Sequence, residues 1–191
     1  MGVRYHCVMQ HRALFLDRDG TINVEREFIS SPDDVELIPG AATGLFLAAT
    51  HGFKLFVISN QSGIARGLMT EDDVIRVNQR LIELLAREGV RLDGIEYCPH
   101  YPSLSGPCDC RKPQRGMIDR VLQRHAIDLG RSFVIGDRAL DLELAFNIGA
   151  KAIMVMTGYG VLEVNALCPD LKPDYVARDL LSAVQWILEH E

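Results

Sequence analysis

The segment FLDRDGT, residues 15–21, places Asp17 and Asp19 two positions apart at the end of an apolar run. If the run is a strand, both carboxylates leave the sheet on one side and can converge on one point. Taken alone, such a pair reads equally well as an acidic turn with Gly20 at the bend. Two other apolar runs also end in polar groups. VISNQSG sets Ser59, Asn60 and Gln61 at its end, and VIGDRALD sets Asp137, Arg138 and Asp141. In a parallel sheet these ends share one edge, so carboxylates, a hydroxyl and amides would surround a single crevice. Clustered carboxylates repel one another unless a hard cation offsets their charge, and Mg2+ combines carboxylate oxygens with waters and substrate phosphate. That combination suggests phosphoryl chemistry, with Ser59, Lys112 and nearby backbone N–H groups facing the phosphate from the other side. An isolated lysine would instead read as a solvated surface residue.

A second cluster lies in YCPHYPSLSGPCDCRKP, residues 97–113. Cys98, His100, Cys108 and Cys110 form a set of four soft and borderline donors with no open position, as in a structural zinc site. A disulfide with a bystander histidine, or an iron site, is the alternative. Between its cysteines the loop has Pro99, Pro102 and Pro107 and little apolar content, so burial cannot order it. Zinc binding contributes roughly 10–16 kcal/mol in small peptide sites, enough to do so. Cys110 precedes Lys112 by two residues, so the clip would hold Arg111 and Lys112 at the crevice. Cys7 and Cys168 read as plain thiols, and His6, His11, His51, His125 and His190 receive no role.

The elements that must position these groups are legible as periodicity. Apolar runs over 13–17, 54–60, 94–98, 133–137 and 151–157 predict strands buried on both faces. Helices are predicted over 41–51, 70–88, 116–125, 139–148 and 179–189. In the second of these, Val74, Val77, Leu81, Leu84 and Leu85 make one stripe, and Glu71, Asp72 and Asp73 follow Thr70 as a helix start requires. Alternation of this kind predicts a three-layer α/β fold with a central parallel sheet. Residues 21–39 are too long and irregular for a simple loop and predict a hairpin or flap over the sheet's edge. Trp186 is expected to pack in the core.

At 191 residues, 48% hydrophobic and 24% charged, the chain predicts one globular domain. Its formal net charge of −6 argues against nucleic acid or an anionic membrane as partner. No apolar run is long enough to span a bilayer and the N-terminal residues lack a secretory pattern, so a cytoplasmic location is expected.

DRDGT, SNQ, RKP and GDRALD follow one another in the order and approximate spacing of the four motifs of the haloacid-dehalogenase (HAD) phosphatases, which the chain resembles from about residue 13 to 185. NQSGIARG with CPHYPSLSGPCDCRKP resembles, within them, the D-glycero-D-manno-heptose 1,7-bisphosphate 7-phosphatase family. The resemblance implies a Rossmann-like HAD domain over 1–191 with a minimal cap, its flap at about 21–39 and its zinc-loop insertion at about 98–113. It implies that Asp17 is the nucleophile that accepts phosphate and that Asp19, able to carry a proton, is the acid and then the base. Mg2+ would sit on Asp17, the backbone carbonyl of Asp19, and Asp137, with Asp141 in support, while Ser59 and Lys112 stabilise the transferred group. Substrate would meet Glu25, Arg26, Glu27, Phe28, Asn60, Gln61, Ser62, Arg111 and Arg138, the last standing where the family pattern has lysine. Arg66 is a candidate for the second phosphate, or else a surface arginine.

The implied partner is a small phosphorylated sugar, bound by a monomer, in a step towards ADP- or GDP-heptose for lipopolysaccharide. Histidinol-phosphate phosphatase is the enzymatic rival. A receiver-like signalling domain would use a phosphorylated strand-end aspartate but has no need of Asp19 or the zinc loop. A protein-binding zinc module would leave the acidic crevice unexplained.

Overall fold

The computed structural model describes residues 10–191. Six parallel strands form one sheet in the order β3-β2-β1-β4-β5-β6. They are β1 (Ala13–Leu16), β2 (Lys54–Asn60), β3 (Gly94–Cys98), β4 (Phe133–Gly136), β5 (Lys151–Val155) and β6 (Tyr175–Ala177). The chain winds outward from β1 to β3 and then returns to the other side of β1 to begin β4. Strand order therefore reverses between β1 and β4, where an open sheet of this kind leaves a crevice beyond its carboxyl ends.

Alternation along the strands feeds two apolar layers. Leu14 and Leu16, Leu55 and Val57, and Ile153 and Val155 enter one core, which α1 (Ala41–Thr50), α2 (Glu71–Arg87) and α7 (Leu180–Glu189) cover. Ala13 and Phe15, Phe56 and Ile58, and Ala152 and Met154 enter the other, which α4 (Gly116–Leu122) and α5 (Ala139–Ile148) cover. The expected three layers and parallel sheet are present. Helix α2 starts as its sequence predicts: the Thr70 hydroxyl accepts from Asp73 N–H while the Asp73 carboxylate accepts from Thr70 N–H.

Strand β6 and two helices, α3 (Pro102–Ser105) and α6 (Gly160–Ala166), were not predicted. Three residues are too few for β6 to show alternation, and α3 is a single turn. Helix α6 leaves Val161 and Leu162 exposed, so it has no clear buried stripe to detect. The segment 21–39 is hairpin-like, with Val24 N–H donating to Glu36 O and Ile38 N–H to Ile22 O. It rises from central β1 rather than from a lateral edge, and buries Ile22, Ile29, Val35 and Ile38 in the first core. Trp186 packs on that core and stacks on Tyr175 at 4.7 Å. His6 and Cys7 lie outside the described residues. Among the described residues, no helix is long and apolar enough to cross a membrane.

Leu81 is fully buried on the inner face of α2. Leu81→Ala should lower stability by about 2–5 kcal/mol, measured as a lower urea midpoint with an unchanged slope.

Candidate active site

Asp17 follows the last residue of β1, yet its N–H still donates to Ile135 O on β4 at 2.9 Å. Sheet hydrogen bonding thus fixes its backbone at the point where strand order reverses. Its Oδ1 accepts from Arg18 N–H at 2.8 Å and lies 2.8 Å from Lys112 Nζ. The same ammonium donates to Asp141 Oδ1 at 2.7 Å. Lys112 is buried, which would favour its neutral form, but Asp141 and Asp17 more than reverse that and hold it protonated well above the usual lysine range. Burial pushes Asp141 up to about 6, with Lys112 opposing the rise.

Asp137 is fully buried at the end of β4. Burial, followed by the charges of Asp17 and Asp141, pushes it up to about 8. Its Oδ2 accepts from Tyr159 N–H at 2.7 Å, while its buried Oδ1 has no hydrogen-bond partner. Gly20 and Gly158, both at positive φ, make room for this carboxylate: a Cβ on either would collide with Asp137 Oδ2. Asp17, Asp137 and Asp141 each offer an oxygen within 4.8 Å of the others. Three carboxylates against one ammonium, with one oxygen unpartnered, is a donor set suited to a hard divalent cation.

Asp19 has turned away from this group. Arg18 donates to its Oδ1 from Nε (3.0 Å) and to its Oδ2 from Nη2 (2.8 Å), Asn23 Nδ2 donates to Oδ1 (2.8 Å) and Gln61 Nε2 to Oδ2 (3.1 Å). Burial would raise Asp19, but the Arg18 charge and these hydrogen bonds together hold it below the usual carboxylate range. The expectation that Asp19 carries a proton is therefore corrected for this arrangement: its carboxylate is ionised. Arg18 is itself almost wholly buried, its Nη1 donating to Asn78 of α2 at 2.8 Å.

Ser59 and Asn60 end β2. Gln61 Nε2 donates to Ser59 Oγ at 2.8 Å, joining that hydroxyl to the Asp19 carboxylate. The Asn60 amide grips the Lys112 backbone, accepting from its N–H at 3.0 Å and donating to its carbonyl at 3.3 Å. Lys112 is thus held at its backbone by β2 and at its ammonium by Asp17 and Asp141.

The loop leading to Lys112 carries the second donor cluster. Cys98 Sγ lies 3.7 Å from Cys108 Sγ, 3.0 Å from Cys110 Sγ and 3.6 Å from His100 Nδ1. Tetrahedral zinc with bonds of about 2.3 Å to sulfur separates its ligands by roughly 3.8 Å, so these donors fit a metal and do not form disulfides. Burial and neighbouring thiols raise Cys98, and burial raises Cys110, so without a metal both resist ionisation.

A cleft of about 390 Å3 opens above these groups. Asp17, Asp19, Ser59 and Lys112 reach it, with Asn60, Gln61, Ser62, Arg111 and Arg138 beside them. From the flap come Glu25, Glu27 and Phe28, and Arg66 also lines the wall. Arg26 does not: it points outward to Glu36, 2.6 Å away. Asp137 lies behind the wall rather than in it. Arg138 stacks on Tyr159, 3.8 Å from the ring centroid. Tyr159 and Leu140 line the cleft without having been anticipated. For Tyr159 the available signal was its place in TGYG, just past the end of β5, where strand ends carry ligand contacts.

Comparison with known proteins agrees with this geometry. The HAD-hydrolase-like family profile matches residues 109–183. The D-glycero-D-manno-heptose-1,7-bisphosphate 7-phosphatase of Thermosynechococcus vestitus is 39% identical over 95% of this chain and 98% of its own. The D-glycero-beta-D-manno-heptose-1,7-bisphosphate 7-phosphatase of Haemophilus ducreyi is 36% identical over 94% of this chain and all of its own, 100%. Among solved structures, the D,D-heptose 1,7-bisphosphate phosphatase of B. bronchiseptica, complexed with magnesium and phosphate, superposes with a TM-score of 0.84 at 30% identity, covering 94% of this chain and 99% of that one. Matched end to end by such relatives, and with acids, lysine and hydroxyl meeting at the strand ends, the chain belongs to the HAD-like phosphatases, in the family of the heptose-bisphosphate 7-phosphatases, and is a phosphoric monoester hydrolase.

Proposed function

We propose that the protein hydrolyses the 7-phosphate of D-glycero-D-manno-heptose 1,7-bisphosphate through a phosphorylated Asp17, supplying nucleotide-activated heptose for lipopolysaccharide. The observation that carries the chemistry is the buried Lys112 ammonium shared by Asp17 and Asp141 beside an unpartnered Asp137 oxygen. The substrate follows from relatives of that name aligned over nearly the full chain.

The Oδ1 of Asp17 is held by Arg18 N–H and Lys112, which leaves Oδ2 to attack phosphorus. An Asp17–phosphorus bond forms as the bond to the sugar oxygen breaks, and a proton from Asp19 passes to that oxygen. Water then attacks the phosphorus, its proton passes to Asp19, and the Asp17 carboxylate is released with inorganic phosphate. The ionised, Arg18-bound Asp19 described above has the protonation state of the base in this second step. To act as the acid it must take up a proton and leave Arg18 for the sugar oxygen. Lys112 and the Ser59 hydroxyl stabilise the phosphoryl oxygens throughout.

Asp17 and Asp137 would hold Mg2+, with the backbone carbonyl of Asp19 and with Asp141 in support; when bound, the ion offsets carboxylate charge and polarises a phosphoryl oxygen. Cys98, His100, Cys108 and Cys110 would hold zinc away from the reaction, ordering the loop that delivers Arg111 and Lys112. The unpaired thiols suit a reducing, cytoplasmic setting.

Phosphate release measured across a panel of phosphorylated substrates should favour the heptose bisphosphate over histidinol phosphate; the opposite preference would overturn the substrate assignment. Asp19→Asn should lower turnover by roughly 10²- to 10⁴-fold, and an unchanged rate would remove Asp19 from the mechanism. Cys108→Ser should lose bound zinc, measured by elemental analysis, and lower the thermal midpoint together with activity. A variant free of zinc yet as stable and active as the original would refute the loop's role.

A further inference from the structure

Helix α2 buries the stripe Val74, Val77, Asn78, Leu81 and Leu85, and one member of it is polar. A polar side chain at such a position is destabilising unless it is paired. Asn78 Oδ1 accepts from Arg18 Nη1 at 2.8 Å. Arg18, only 1% exposed, presents Nε and Nη2 to the two oxygens of Asp19. Among the described residues, Asp19 and Asn78 are the side chains that accept from this guanidinium.

The proposed reaction requires Asp19 to leave that fork for the sugar oxygen. Its two other donors have a second acceptor to fall back on: Asn23 Nδ2 also donates to Val24 O at 3.1 Å, and Gln61 Nε2 to Ser59 Oγ at 2.8 Å. Arg18 is enclosed and cannot follow. A guanidinium out of water that has lost its carboxylate is the unfavourable state in this exchange. Of its two side-chain partners, Asn78 is the one that stays. A hydrogen bond to a charge counts for most where the charge has no other partner. Asn78 therefore favours the arrangement in which Asp19 has left over the one in which it is docked.

We infer that Arg18 and Asn78 are positioning residues: Arg18 is the dock on which Asp19 rests, and Asn78, on α2 outside the cleft, holds Arg18 in place and so sets how readily Asp19 departs for the leaving group. The inference rests on the proposed acid role of Asp19 and adds what releases it.

The test compares kcat/KM for the heptose bisphosphate with kcat/KM for p-nitrophenyl phosphate in the same enzyme. Each value counts steps only through departure of the leaving group. p-Nitrophenolate departs without a proton, whereas the sugar oxygen needs one. The quotient of the two therefore reads the delivery of Asp19, and damage common to both substrates cancels. Asn78→Leu, which removes the acceptor and keeps the bulk, should lower the quotient about 5- to 20-fold, part of the worth of one charge-assisted hydrogen bond. Asn78→Asp, which keeps the shape and the acceptor, should hold it at or above the original value. An unmoved quotient in Asn78→Leu, or a lowered one in Asn78→Asp, would overturn the inference and leave the function standing. If Asn78→Leu fails to fold, Asn78→Ala is read in its place, and an unmoved quotient there overturns the inference equally. An Asp19→Asn enzyme with an unmoved quotient would instead overturn the acid role of Asp19, and an unaltered enzyme inactive on the heptose bisphosphate would overturn the function itself.

Discussion

A lysine ammonium out of water must be paired or neutral, and in this protein it is paired twice. Lys112 bridges Asp17 of the β1 end and Asp141 of the first turn of α5. Removing one member of such a buried group leaves an uncompensated charge, at a cost of about 3–5 kcal/mol. The pairing therefore does two things together. It aims the Asp17 carboxylate, and it draws the loop after β3 against the carboxyl ends of β1 and β4. The Asn60 amide supports the same lysine at its backbone, and Cys110, two residues earlier, ties it to the donor cluster.

The sheet explains why these groups meet. Because β1 lies between β2 and β4, the ends of all three strands are neighbours, and each brings a different chemistry: Asp17 from the first, Ser59 and Asn60 from the second, Asp137 from the third. Gly20 and Gly158 let two backbone segments close over Asp137 where any side chain would displace it. The result is a pocket whose inner end carries more negative charge than Lys112 offsets, and whose outer wall carries the arginines.

Much of this arrangement was legible from residue order. Short apolar runs alternating with helical stripes identified five of the six strands, because residues buried on both faces of a parallel sheet must be apolar throughout. The cysteine and histidine spacing identified the donor cluster, because few other uses bring such side chains together in a proline-rich loop. Other features did not announce themselves. Arg26 sits among three residues that line the cleft, yet its side chain turns out to Glu36. Asn60, expected at the substrate, grips the Lys112 backbone across 52 positions of chain. Asp19, expected to carry a proton, is held ionised by Arg18, an arginine that periodicity alone would have left on the surface.

The division has a physical basis. Periodicity and ligand spacing are local properties, set by the pleat of a strand, the turn of a helix and the reach of a few peptide units, so the sequence by itself determined most of the strands and the longer helices, and which residue types stood at the strand ends. Ionisation state and side-chain direction depend on charges and donors that arrive from distant segments. Only the tertiary structure could pair Lys112 with two aspartates, leave one Asp137 oxygen unpartnered and set Arg18 against Asn78 of α2, because each of those contacts joins parts of the chain that no local pattern relates.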